Sequence, residues 1–296
     1  MGFLLLLSFS SGMPFYLTSR TLQPWLTLEG VSLTAVGLLS LVGLPYSVKF
    51  LWSPILDRFA FLRLGRRRGW MALSQVLLLG TIASMAFGRP AAGISFIAIL
   101  ALIVAFLSAT QDIAVDAYRT DVLEPHEMGA GAGITALGYR IALILTGGGA
   151  FILADYTSWP RVYLIMAVFM LVGLTASLRA PEPKDPGTPP ASLTDAVRAP
   201  FSEFWNRFGA GPAVLVLSFI AIYKLGDALI TNMTTPFLLQ TGFTQTEIGV
   251  VQGGIGLTAT IVGALAGGAL LSQMGILRAL WVFGLLQAGT NLLYMI

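Results

Sequence analysis

Nine apolar segments follow one another along this chain, and they constrain its fold more than any other feature. A helix needs about 20 apolar residues to cross the ~30 Å hydrocarbon core of a bilayer. The sequence therefore predicts an all-α, multi-pass membrane protein. The predicted spans are roughly 2–27, 34–57, 70–88, 93–118, 129–153, 161–179, 212–239, 245–272 and 277–296.

Composition agrees with this class and excludes several functions. Hydrophobic residues make up 56% of the chain and charged residues 10%, whereas about a quarter of residues are charged in soluble domains. The chain has no cysteine and one histidine, so thiolate metal sites and hydrolase chemistry have no residues to use. We predict that the protein is not an enzyme and needs no cofactor.

Lysine and arginine lie mainly in alternate connections. The connections after spans two, four and six carry most of them, while the other connections offer only Arg89 and Arg161. The positive-inside rule then places the N-terminus and the even-numbered exits in the cytoplasm. This topology also explains most of the net charge of +3, so we expect no nucleic-acid partner.

The first segment lacks the basic start of a signal peptide, and we interpret it as an uncleaved span.

An internal repeat at an offset of 212 residues predicts the domain organisation. Pro24, Gly30 and Thr34 match Pro236, Gly242 and Thr246. The repeat predicts two six-helix halves with the substrate site between them near the bilayer midplane, as in parallel-repeat transporters. We expect a six-helix bundle over 1–180, a cytoplasmic linker over 181–211, and a partial bundle of about three helices over 212–296. The second half is thus predicted to be truncated, with about three closing helices absent.

The predicted linker changes character along its length. Its first part, PEPKDPGTPP, is rich in proline, so it cannot continue a helix and is typical of a stiff connector. Its second part is amphipathic, with Leu193, Val197, Phe201, Phe204 and Trp205 at helical spacing. Two positions fit such a helix: the inner surface of the membrane, or the cytoplasmic ends of the protein's own helices.

Polar residues inside the spans are the candidate site. A charge in hydrocarbon costs several kcal/mol and persists mainly where it faces a cavity, a partner or a transported ion. Lys224 and Asp227 can neutralise each other at i,i+3. Lys49 and Arg140 have no partner in their own segments, so they need a carboxylate, a carbonyl, water or an anionic ligand. The candidate substrate-binding residues are Arg20, Gln23, Lys49, Gln111, Arg140, Lys224, Asn232 and Gln252.

Asp112 is the first candidate for a proton-coupling carboxylate, followed by Asp116 and Asp227. It lies about 18 residues into span four, roughly 27 Å along the helix. Burial favours a neutral carboxyl group, and a nearby Lys49 or Arg140 favours the ionised form, so a movement between states would load or release a proton. The alternative is a permanently ionised structural partner of an arginine.

The aspartates of span four also allow a metal hypothesis. Asp112 and Asp116 are one helical turn apart, as in membrane prenyltransferases that hold magnesium and a diphosphate. Such enzymes need a second aspartate cluster facing the first, and only Asp227 lies within a span elsewhere. We therefore predict no metal site.

Glycines in spans five and eight, such as Gly131 and Gly263, favour close helix packing.

Long blocks of the sequence resemble a known family. SSGMPFYLTSRTLQPWL, KFLWSPILDR, LGRRRGW, SATQDIAVDAYRTDVL and GAGAGITALGYR are similar to the AmpG-type muropeptide permeases of the major facilitator superfamily. The resemblance implies proton-driven import of anhydro-muropeptides across the bacterial inner membrane by a monomer, for peptidoglycan recycling. Acetyl-CoA transporters share some of these blocks and remain an alternative, as do a magnesium-dependent prenyltransferase and a non-transporting membrane receptor.

The same resemblance assigns a role to the connection between spans two and three. It implies a loop that forms charged contacts with neighbouring cytoplasmic helix ends and biases the outward-open state. The residues of this predicted conformational-switch loop are Asp57, Arg58, Arg66, Arg67 and Arg68.

Overall fold

The computed structural model describes residues 1–60, 64–90, 93–181, 183, 191–222, 242 and 255–292. These residues form helices and connecting turns, with no β-strand among them. The predicted all-α class is therefore confirmed for the described part of the chain. Two compact units are present, Met1–Leu193 and Thr194–Ile296. The truncated two-half arrangement and its domain boundaries stay predictions.

The described residues of the first unit form ten α-helices. They are α1 (Gly2–Leu17), α2 (Leu22–Leu28), α3 (Leu33–Leu38), α4 (Leu44–Val48), α5 (Ser53–Arg58), α6 (Arg66–Met85), α7 (Ser95–Val122), α8 (Met128–Ile144), α9 (Ala150–Tyr156) and α10 (Trp159–Arg179). Short 3-10 turns at Leu39–Gly43 and Lys49–Leu51 and a π-helical turn at Leu145–Gly149 connect some of them.

Four described segments are long and apolar enough to cross a membrane. They are Gly2–Leu28, Ser95–Val122, Met128–Tyr156 and Trp159–Arg179, and they coincide with predicted spans one, four, five and six. Predicted span three is α6, whose first turn carries three arginines. Several apolar helices of this length make the chain a multi-pass membrane protein.

Predicted span two differs from a single continuous helix. Between Leu33 and Arg58 the chain forms α3, α4 and α5, which are joined by the two 3-10 turns. Pro45 and Pro54 lie in the first turns of α4 and α5. Proline lacks an amide proton and clashes with the preceding turn, so it starts a helix well and interrupts one badly. The sequence pattern of hydropathy did not reveal this segmentation.

Helix α1 forms the centre of the first unit. It packs against α7, α8 and α10, and its buried residues lie on all sides of the helix. The backbones of α1 and α8 approach each other closely. A Cβ atom built on Gly138 would overlap the Leu5 carbonyl oxygen, and one on Gly12 would lie 2.9 Å from the Tyr139 carbonyl oxygen. Small residues at a helix crossing permit this contact between backbones.

Two irregular stretches of backbone are hydrogen-bonded by buried side chains. The break between α1 and α2 leaves the Leu17 carbonyl free of its helix, and the Tyr163 hydroxyl donates to it at 2.7 Å. Thr21 donates to the Thr146 carbonyl at 2.6 Å, within the π-helical turn. Backbone groups at membrane depth need such partners because lipid offers none.

The second unit contains four described helices: α11 (Leu193–Phe208), α12 (Ala210–Ile222), α13 (Gly256–Met274) and α14 (Ile276–Leu292). Helix α11 is the predicted amphipathic helix, and Gly209, with φ of 76°, separates it from α12 at an angle of 110°. Its position at a membrane surface stays a prediction.

The two matching glycines of the sequence repeat both adopt a positive φ angle. Gly30 has φ of 79° and Gly242 has φ of 97°, values that side chains other than glycine rarely adopt. Pro236 and Thr246 lie outside the described residues, so the superposition of the two halves stays a prediction.

Candidate functional site

Asp112 on α7 meets a cation and a hydroxyl group from two other segments. Lys49 places its Nζ atom 3.6 Å from Asp112 Oδ2, and the two side chains are 32% and 16% exposed. The Ser11 hydroxyl on α1 donates a hydrogen bond to Asp112 Oδ1. Lys49 thus has one of the partners that the sequence analysis required for its charge. Both contacts favour the ionised form of Asp112, and they oppose the burial that favours the neutral form.

A small cavity of about 90 Å³ lies beside Asp112. Three helices supply its polar lining, each with residues three or four positions apart, a spacing that places side chains on one helix face. Apart from the apolar Val115, the lining residues are Ser8 and Ser11 from α1, Asp112 and Asp116 from α7, and Thr135 and Tyr139 from α8.

The sequence analysis missed the hydroxyl-bearing residues of this cavity. Serine and threonine are common in helices, and single ones attract no attention. The i,i+3 spacing of Ser8 and Ser11 and the i,i+4 spacing of Thr135 and Tyr139 were the available signal. That signal becomes specific only when α1 and α8 are known to pack against α7.

Each of the three aspartates in the C-terminal half of α7 contacts its own cation. Asp112 pairs with Lys49, Asp116 lies 3.5 Å from Arg119 Nη2, and Asp121 lies 2.7 Å from Arg67 Nε. The carboxylates therefore do not converge on one point, and no group of three potential metal ligands occurs among the described residues. The arrangement gives the magnesium hypothesis no support.

Arg67 joins the predicted conformational-switch loop to the end of α7. Its Nη1 atom lies 2.6 Å from Asp57 Oδ1 on α5, and its Nε atom lies 2.7 Å from Asp121 Oδ2 on α7. Burial alone would lower the pKa of Arg67, but the hydrogen bonds to Asp121 and Asp57 outweigh it, so that the pKa lies above its ordinary value. The guanidinium is permanently charged and holds two helix ends together.

Neighbouring arginines attach the same loop to further backbone. Arg66 Nη1 donates to the Asp57 carbonyl at 3.0 Å. Arg68 Nε donates to the Ser177 carbonyl at 3.1 Å, and its Nη2 atom donates to the Leu178 carbonyl at the end of α10. Arg58 lies over the ring of Phe59, 5.7 Å from its centre. The predicted charged contact with a neighbouring helix end is thus present, while its effect on the outward-open state stays a prediction.

The predicted substrate-binding residues do not form one cluster in the described residues. Arg20 and Gln23 line a larger cavity of about 910 Å³ at the other end of the unit, together with Asp155 and Trp159. Arg140 on α8 is half-buried, and no ion pair joins it to another described residue. Lys224, Asp227, Asn232 and Gln252 lie outside the described residues.

Gln111 faces a different environment from its neighbour Asp112. It is completely buried, and its Nε2 atom donates to the Ser10 hydroxyl at 3.3 Å. Successive helical residues point about 100° apart, so Gln111 points to another part of α1 than Asp112 does. A substrate contact by Gln111 would require α1 and α7 to separate.

A family model described as the Major Facilitator Superfamily matches residues 4–296. The chain belongs to the Major Facilitator Superfamily. Within this superfamily the chain is 48% identical to a protein of Escherichia coli K12 named "Anhydromuropeptide permease", over 97% of the chain and 58% of the relative. It is 32% identical to "Putative transporter AmpG 4" of Rickettsia felis, over 97% of the chain and 71% of the relative.

These matches confirm the resemblance to the AmpG-type permeases of the Major Facilitator Superfamily. The chain spans 58% of the length of the Escherichia coli relative. These two relatives are named as a permease and a transporter, and partly buried ion pairs between the segments of a membrane protein suit a transporter of this superfamily.

Proposed function

We propose that this protein imports anhydro-muropeptides across the bacterial inner membrane, in symport with protons, for peptidoglycan recycling. The observation that carries the proposal is the 48% identity, over 97% of the chain, to a protein named anhydromuropeptide permease. Arginine and lysine in alternate connections support a cytoplasmic N-terminus. The transporter acts as a monomer.

Asp112 couples the proton to the substrate. A carboxyl group surrounded by protein is stable when neutral, or when ionised beside a cation. Lys49 at 3.6 Å and the Ser11 hydroxyl stabilise the ionised form in the described conformation. The 3-10 turn that carries Lys49 interrupts span two, so a movement of this segment relative to α7 changes the distance between the two charges. The proton binds when Lys49 moves away and leaves when it returns.

The chemistry of the cargo indicates which residues contact it. An anhydro-muropeptide carries sugar hydroxyls, amides and carboxylates, which call for hydrogen-bond donors and positive charge. Arg20 and Gln23 line the 910 Å³ cavity that also contains Trp159, and they receive the cargo first. Arg140, half-buried on α8, contacts a carboxylate deeper in the protein. The other proposed contacts are Lys49, Gln111, Lys224, Asn232 and Gln252.

The network around Arg67 holds the helix ends in one conformational state. Asp57 and Asp121 lie on α5 and α7, and one guanidinium contacts both. A transporter must break and remake such contacts during its cycle, because each conformational state needs its own stabilising interactions. We propose that the network favours the outward-open state.

Uptake into proteoliposomes tests the proposed function. The intact protein should accumulate radiolabelled anhydro-muropeptide when the interior is alkaline, and a protonophore should abolish the accumulation. Acetyl-CoA should neither accumulate nor compete. A protein that binds the cargo without moving it would be a receptor, and uptake unaffected by the protonophore would remove the proton from the proposal.

A further inference from the structure

We propose that the cavity beside Asp112 holds a short chain of water molecules that carries the coupled proton between Asp112 and Asp116. The inference rests on the proposed function. It adds the path of the proton, the carboxylate that releases it, and two positioning residues, Ser8 and Thr135. The cavity volume, two hydroxyl groups without partners, and the different exposure of the two aspartates support it.

The size and lining of the cavity suit water. Its volume of about 90 Å³ corresponds to about three molecules at the ~30 Å³ that each occupies in the liquid. A cavity holds water when it offers several polar partners, while purely apolar cavities of this kind remain dry. Six of the seven lining residues carry a hydroxyl or a carboxylate group, including Ser11 and Tyr139 in addition to the groups discussed below.

Two lining hydroxyl groups require a partner. Ser8 is 1% exposed, and its buried Oγ atom forms no hydrogen bond with a described residue. The Oγ1 atom of Thr135 is in the same situation. A buried polar group without a hydrogen-bond partner is destabilising, so two such groups beside one cavity would make its lining unfavourable when dry. Water in the cavity satisfies both.

The aspartates lie at two ends of the proposed chain. Residues four apart on a helix have Cβ atoms about 5–6 Å apart, a gap that one or two water molecules bridge. The Asp112 side chain is 16% exposed, whereas that of Asp116 is 56% exposed. Asp112 is therefore the more protected end of the route, and Asp116 is the more exposed end.

The proton balance is simple. The Asp112 carboxyl group gives its proton to the nearest water oxygen, and that water gives another proton to the next acceptor. The last water protonates the Asp116 carboxylate, which releases the proton to bulk solvent. Asp112 remains as a carboxylate beside Lys49 at 3.6 Å. No bond other than O–H bonds is made or broken, and no electron is transferred.

Charged and titratable groups around the route favour transfer in this direction. Lys49 stabilises the carboxylate left on Asp112. Arg119 places its Nη2 atom 3.5 Å from Asp116 Oδ1 at the other end of the route. The phenols of Tyr139, which lines the cavity, and of Tyr46 lie within electrostatic range of Asp112. Neither phenol has to ionise in this scheme.

The test removes the hydroxyl group of Ser8 or of Thr135 without changing any charge. The variants are Ser8→Ala and Thr135→Val, with Thr135→Ser to restore the hydroxyl. Thr81→Val is the matched control, because Thr81 on α6 donates to the Leu77 carbonyl and lies outside the cavity. In proteoliposomes we expect Ser8→Ala and Thr135→Val to slow gradient-driven accumulation by about tenfold. That is below the ~100-fold or larger loss typical of a group that itself transfers the proton.

Substrate exchange at equal pH on both sides separates the route from the cargo site. Exchange needs no net proton release, so all variants should exchange at the wild-type rate. Wild-type accumulation by Ser8→Ala and Thr135→Val, or equal slowing in Thr81→Val, would overturn the proposal. Failure of Thr135→Ser to restore the rate would overturn it as well.

An infrared measurement tests the route without transport. The protonated carboxyl band that disappears in Asp112→Asn should exchange its proton for deuterium more slowly in Ser8→Ala and Thr135→Val than in wild type or Thr81→Val. Equal exchange rates would show that water in this cavity does not serve Asp112. If the wild-type protein fails to move muropeptides, the proposed function is wrong, and the infrared result still decides the proton route.

Discussion

Replacing Asp121 by asparagine should destabilise the protein by about 2 kcal/mol, through its contact with Arg67. Breaking a buried ion pair costs roughly 3–5 kcal/mol, and a solvent-exposed pair contributes about 0–1 kcal/mol. The Arg67 side chain is 12% exposed and that of Asp121 is 23% exposed, so this pair falls between the two cases. Asparagine keeps the size of the side chain and removes its charge.

The second partner of Arg67 should matter less. Asp57 is 40% exposed, and solvent screening reduces the worth of its contact to below about 1 kcal/mol. We expect Arg67→Lys to destabilise as much as Asp121→Asn, because lysine cannot hold two carboxylates with one planar group. Glu124→Gln is the control, since Glu124 is 62% exposed and its contact is with His126.

Two measurements check this order. Thermal unfolding of the purified protein in detergent should rank the variants as Asp121→Asn and Arg67→Lys, then Asp57→Asn, then the control. Labelling of cysteine probes at both ends of the bundle should show that Asp57→Asn shifts the conformational equilibrium by about 1 kcal/mol, a usual scale for such coupling. Equal stability of Asp121→Asn and Glu124→Gln would refute the reasoning.

Two further predictions concern packing and backbone hydrogen bonding. Gly138→Ala should destabilise the protein by about 1–3 kcal/mol because the new methyl group overlaps α1. Gly80→Ala in α6 should stabilise it by up to about 1 kcal/mol, since nothing lies within 4 Å of the new methyl group. Thermal unfolding of both variants checks these opposite signs. Tyr163→Phe should lower the free energy of unfolding by about 1 kcal/mol, because it removes the hydrogen bond to the Leu17 carbonyl. Tyr156→Phe should leave the stability unchanged, since Tyr156 is 86% exposed. Equal effects of the two variants would contradict the role of the Tyr163 hydroxyl.

The sequence predicted the parts of the fold that depend on composition and on charge. Apolar runs identified the spans, and the cost of a charge in hydrocarbon marked Asp112 and Lys49 as partners or ligands. The structure places these two residues 3.6 Å apart. Each of these predictions uses a property of one segment.

The missed features depend on which helices are neighbours. Ser8 and Thr135 belong to the candidate site only because α1 and α8 pack against α7, and one sequence does not reveal that packing. Gln111 looked equivalent to Asp112 because it is adjacent in sequence, yet the 100° helical step points it elsewhere. The interruption of span two follows from Pro45 and Pro54, which a measure of hydropathy does not register.

Asp112→Asn in proteoliposomes tests the central claim most directly. Asparagine resembles the protonated carboxyl group in size and charge, so it should fix Asp112 in its loaded form. The variant should lose gradient-driven accumulation of labelled anhydro-muropeptide and keep exchange of the cargo across the membrane near the wild-type rate. Accumulation at the wild-type level would contradict the account and move the coupling site to another carboxylate, with Asp227 the next to test. Loss of folding would instead identify the contact with Lys49 as a structural ion pair.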